Sequence, residues 1–135
     1  MKWIKKVALI LLCAPFIFIA LIVLYEIWGI YANQAETDKQ TRDLQTNLQQ
    51  EISDIAIKDV YSETGNTSGT GNHVDCLTII TFFTKTEESE IKTKMSRFYD
   101  FDERYGDCYI EKIENCTYKF VLKKTAPFAD NIAGH

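Results

Sequence analysis

Eighteen consecutive residues, Val7 to Leu24, carry no charge, and thirteen of them are Leu, Ile, Val or Phe. As a helix rising about 1.5 Å per residue, such a run spans roughly 27 Å, the hydrocarbon depth of a bilayer. At about 0.3–0.6 kcal/mol for each of those thirteen side chains, insertion is favoured by roughly 4–8 kcal/mol, more than a proline at Pro15 costs. The run predicts a transmembrane helix over 7–31, preceded by a cytoplasmic stub, 1–6.

Lys2, Lys5 and Lys6 stand before the run, whereas Tyr25, Glu26, Trp28 and Tyr31 follow it and the next basic residue is Lys39. Basic flanks stay on the cytoplasmic side. The expected location is therefore the cell membrane, crossed once, with the amino terminus inside and the remainder extracytoplasmic. Trp3 on one flank and Tyr25, Trp28 and Tyr31 on the other suit the two headgroup layers. The competing reading is a cleaved secretory signal, for which Ile30-Tyr31-Ala32 offers a cleavage site and Asn33 a new amino terminus. The apolar run exceeds the 7–15 residues of a signal's core, and aromatic residues crowd the site, which favours an uncleaved anchor. Leu12 before Cys13 excludes a lipobox, which has a small residue there.

Beyond Tyr31 the chain holds 18 acidic and 12 basic residues, a net charge of −6. An acidic exterior argues against nucleic acid and against anionic headgroups as partners. Residues 54–125 suffice for one small core. Cys76, Cys108 and Cys116 lie outside the membrane, where an odd number permits at most one internal bridge. Either one bridge forms, with Cys76 the favoured participant, or all three serve as small core residues.

From Asn33 to Ser53 the chain has neither Gly nor Pro. Its apolar residues Thr41, Leu44, Leu48, Ile52 and Ile55 recur at helical spacing, with the threonine methyl at the start of the stripe. We read 32–53 as a helical stalk whose stripe either packs on the domain or pairs with a partner helix. Leu44, Leu48 and Ile52 are the expected partner contacts. Two β-rich stretches follow, 55–61 and 74–83, separated by the glycine-rich 65–72 as the tip of a hairpin. Thr86 caps a short helix whose buried face is Ile91, Met95, Phe98 and Tyr99. A tighter hairpin, 108–113 and 117–122, turns at Glu114-Asn115, and Pro127 ends it, leaving 126–135 as a surface tail.

The element order is membrane helix, stalk, ββαββ, with an antiparallel four-stranded sheet in a small α+β domain, 54–125. Counting the end of the stalk as a first helix makes it αββαββ, a permutation of the ferredoxin-like arrangement. That order resembles the periplasmic domains of inner-membrane assembly-platform proteins in type II secretion and type IV pilus systems, which implies two αββ units on one sheet. A long amino-terminal helix leading into a sheet also resembles type IV pilins, but their Gly-then-hydrophobic processing site with a following Glu is missing here.

Chemistry-bearing motifs are few. Gly71-Asn72-His73 leads into a strand rather than the Lys-Ser/Thr and helix of a phosphate loop. His73 and Asp75 alternate on one strand face, with Glu63 across the hairpin. These three form the alternative site, for a small ligand, a metal or hydrolase-like chemistry. No second ligand pair at zinc spacing accompanies them. In Asp100–Glu111 the fifth and sixth positions of a calcium loop hold Arg104 and Tyr105, where an oxygen ligand and Gly are needed. We read that stretch as a turn with aromatics tucked under charges. Asn66-Thr67-Ser68 and Asn115-Cys116-Thr117 match the glycosylation sequon. With no catalytic set and no cofactor motif, the expectation is a non-enzymatic, membrane-anchored interaction or scaffold module. It binds a protein of the cell envelope and needs no cofactor.

Overall fold

The computed structural model describes residues 2–69, 71–101 and 106–134. The first element, α1, runs unbroken from Lys2 to Glu51, so the apolar run and the stalk are a single helix. By length and composition it is the one helix among the described residues suited to crossing a membrane. Pro15 lies inside it, where its missing N–H leaves the carbonyl of Leu11 without a helical donor. Ile10 to Tyr25 stand exposed, and burial against the rest of the protein sets in at Gly29 and Asn33.

Four strands follow: β1 Ala56–Gly65, β2 Asp75–Phe83, β3 Cys108–Glu114 and β4 Thr117–Thr125. A short helix, α2 Glu88–Met95, separates the hairpins, and a single 3₁₀ turn covers Ile132–Gly134. The sheet is antiparallel throughout, in the order β1-β2-β4-β3. The two hairpins meet through β2 and β4, and each is preceded by a helix on the same face, which is the paired αββ arrangement. The stalk is thus the first helix of the domain.

Strand alternation sends Cys76, Thr78, Ile80 and Phe82 of β2 toward the helices and leaves Leu77, Ile79, Thr81 and Phe83 on the other face. Leu44, Leu48 and Ile52 meet the inward set and are fully buried with Phe120, Ile91 and Met95. The expected partner-contact stripe is therefore corrected: it is the centre of the domain's own core. Each such side chain contributes roughly 1.5–3 kcal/mol by leaving water, and the sheet lies close enough to take all three.

Smaller departures have local causes. Tyr99, not Phe98, joins the core: α2 ends at Met95, and the turn after it swings Tyr99 edge-on to Phe120, ring centroids 5.6 Å apart. Phe98 is left 44% exposed. Thr86 does not cap α2, whose N-cap is Glu87 without a side-chain bond, because its hydroxyl donates to Asp54 Oδ1 instead. The second hairpin turns one residue later than expected, at Asn115-Cys116. A bulge between Lys112 and Glu114 sets Glu114 opposite Thr117, and Cys116 takes a φ of 61°. Of the turn read in Asp100–Glu111, Phe101 packs on the core, and residues 102–105 lie outside the described residues.

Candidate functional site

The segment after β4 does not lie loose on the surface. Ala126 N–H donates to Val74 O and Val74 N–H to Ala129 O, laying the segment beside the entry to β2. From there it reaches α1. Asn33 Nδ2 donates to Phe128 O at 3.0 Å while Phe128 N–H donates to Asn33 Oδ1 at 2.9 Å, a two-point pairing of side-chain amide with backbone. Asn131 Nδ2 donates to both the carbonyl and the carboxylate Oε2 of Glu26, each at 2.8 Å, and Ile132 N–H adds a third bond to Oε2. The Phe128 ring meets Tyr25 and Trp28 edge-on at 5.6 and 5.2 Å. Gly29 makes the approach possible, since a Cβ there would stand 2.7 Å from Asn131 Nδ2 and 3.4 Å from Phe128. Together these contacts form a collar around α1 immediately past the apolar run. The expected surface tail, 126–135, keeps its exposed residues but is tied down by these contacts as far as Ile132.

None of the collar residues in the return segment was singled out from the sequence. The available signal was Gly29, the single glycine in α1, whose cost to a helix implies a close contact on its face.

The hairpin tip gathers a second group. His73 Nε2 lies 3.2 Å from Asp75 Oδ2 and 3.1 Å from Ser68 Oγ, and Thr67 Oγ1 donates to the same Asp75 oxygen. Asp75 is buried, and the backbone of His73 packs against Gly134. Serine and carboxylate here share one imidazole nitrogen. A relay needs them on opposite nitrogens, so that the carboxylate orients the ring while the other nitrogen takes the hydroxyl proton. Glu63 sits opposite Leu77 and accepts a 2.6 Å bond from the Tyr61 hydroxyl, which holds that hydroxyl's pKa above its ordinary value. Of the three alternative-site residues, then, His73 and Asp75 meet, while Glu63 is engaged with Tyr61. Among the described residues no three His, Cys, Asp or Glu side chains converge as metal ligands.

The sheet face away from the helices is the third feature. Tyr61, Ile79, Val121 and Tyr109 are successive cross-strand partners, so one apolar row crosses all four strands. Ion pairs border it on both sides, Lys119–Glu111 at 2.7 Å and Lys123–Asp107 at 3.0 Å. Neither helix covers this row, in which Tyr61 is exposed, Ile79 and Tyr109 are half-buried and Val121 is buried between its neighbours. In comparisons with protein-family models, with curated proteins and with solved structures, nothing matches this chain.

All four cysteines are free. Burial pushes the Cys108 thiol up to about 11 and raises Cys76 as well. At the other end of the domain, Asp54 accepts from the Thr84 hydroxyl, from Lys85 N–H and from the Thr86 hydroxyl, and these bonds, Thr84's first, hold its pKa below the usual value.

Proposed function

We propose that the chain is a single-pass membrane protein with a cytoplasmic amino terminus, and that its α+β domain works outside the cytoplasm as an interaction module for another envelope protein. The observation that carries the anchor is the collar. Tyr25, Glu26, Trp28, Gly29 and Asn33 are its contact residues on α1, and all but Asn33 precede Ala32. Cleavage after Ala32 would discard the partners of Phe128, Asn131 and Ile132 and open the packed face of Asn33. A removable signal has no reason to carry a glycine fitted to a residue a hundred positions away. Protease added to spheroplasts is expected to digest the domain and leave the first residues protected. A mature chain beginning at Asn33 would replace the anchor with a signal peptide, and a protected domain would reverse the orientation.

With the stalk stripe used up in the core, the surface left for a protein partner is the uncovered sheet face. An apolar centre with a charged rim is the ordinary make-up of a protein contact, and the row Tyr61–Ile79–Val121–Tyr109 between two ion-paired rows has it. The chemistry it suits is a partner presenting apolar side chains within a mixed-charge border. Ile79→Lys should abolish co-purification of that partner from native membranes with the circular dichroism spectrum retained, whereas His73→Ala should leave it unchanged. The reverse pattern would move the function to the hairpin tip and to a small ligand there.

A further inference from the structure

We propose that the return segment, residues 127–134, is a second membrane-contacting element lying in the headgroup layer beside α1. The inference rests on the anchor reading above. Residues 25–29 follow the apolar run directly, so at about 1.5 Å per residue they rise through roughly the first 8 Å beyond the hydrocarbon. Whatever is bonded to them shares that depth. Ile132 N–H reaches the Glu26 carboxylate, and Phe128 is wedged against Tyr25 and Trp28. The segment is thereby held at the level of the interface.

The side chains it offers suit that place. Tyr25 and Trp28, 57% and 61% exposed, form with Phe128 an aromatic cluster of the kind that settles at headgroup level, and Ile132 on the same segment is 61% exposed. In water such a cluster is an unexplained apolar patch; in the interface it is covered. Most of the polar groups that would resist entry are already matched, and exposed Asp130 is the one that has to face water. The Glu26 carboxylate accepts from Asn131 and Ile132, and Asn33 and the Phe128 backbone satisfy each other. No basic residue occurs between Lys6 and Lys39 or from Thr125 to Gly134, while Glu26 and Asp130 are acidic. The contact is therefore with neutral lipid at the headgroup–acyl boundary, driven by apolar burial and not by anionic headgroups.

The test uses the unmodified full chain in phosphatidylcholine nanodiscs carrying a lipid with a paramagnetic headgroup. The amide resonances of Phe128–Ile132 should broaden as strongly as those of Tyr25–Trp28, while those of Tyr61 and Ile79 on the sheet stay sharp. Broadening at Tyr25–Trp28 without Phe128–Ile132 would overturn the second contact and leave the anchor standing. Broadening at neither would overturn the anchor and this inference with it. Replacing a third of the lipid by an anionic one should not increase the effect at Phe128–Ile132, and a severalfold rise would show a charge-driven contact instead.

Discussion

Along one stripe of α1 the buried side chains change character at Gln40. On the collar side the stripe is polar: Asn33, Thr37 and Gln40 are buried and each spends its side chain on a named bond. Gln40 Nε2 alone reaches Cys76 O, Thr78 Oγ1 and Leu122 O, at 2.9 to 3.2 Å. On the far side Leu44, Leu48 and Ile52 make only apolar contacts. Apolar packing is strong and tolerant of sliding, whereas buried hydrogen bonds are modest in net worth and intolerant of misplacement. The apolar half holds the helix on the sheet, and the polar half sets its register there.

Leu48→Ala tests the apolar half and should have the largest effect, a loss of about 2–5 kcal/mol in denaturant unfolding of the full chain in detergent. A loss under about 1 kcal/mol would mean that α1 is held elsewhere. Gln40→Leu adds apolar surface yet removes an amide whose two N–H groups serve three acceptors. It should still cost about 1–3 kcal/mol, and a neutral or stabilising result would break the contrast between the halves. Cys108, in the core cluster opposite Leu122, tests the dryness of the boundary: with its thiol at about 11, alkylation at pH 8.5 should run roughly tenfold or more slower than at half-buried Cys116. Equal rates would show that water reaches that part of the core.

The smallest effect belongs beyond the end of the stripe, at exposed Asp54. Its folded-state pKa is depressed by the Thr84, Lys85 and Thr86 bonds, so the stability it adds is present above the ordinary carboxyl value and fades as pH falls through the folded one. Asp54→Asn should lower stability slightly at neutral pH, with the difference from the native chain closing as the pH falls, so that the acid side of the profile is flatter. An unaltered acid limb would remove Asp54 from the account.

The same contrast explains what a reader of the sequence finds. Leu44, Leu48 and Ile52 announce themselves by spacing, as do the hairpins by β-branched runs around Gly65–Gly71 and Asn115. What spacing leaves open is the identity of the surface met, and a partner helix and the chain's own sheet present the same apolar demand. Asn33, Thr37 and Gln40 read as ordinary solvated positions, since nothing in a polar side chain's type says that its acceptor lies 36 or 95 residues away. The uncovered row on the sheet was hidden for a related reason: Tyr61, Ile79, Val121 and Tyr109 align only once register is known.

The collar also has a place in time. Its bonds join Glu26 to Asn131 and Ile132 across 105 and 106 residues, and Asn33 to Phe128 across 95. During translation, α1 leaves the ribosome and commits to its destination while the residues that will clasp it are still unmade. Between those moments the nascent protein has its first helix and a growing sheet but an open junction, with Tyr25, Trp28 and Gly29 bare. Closure at Phe128 and Asn131 is thus among the later steps of maturation.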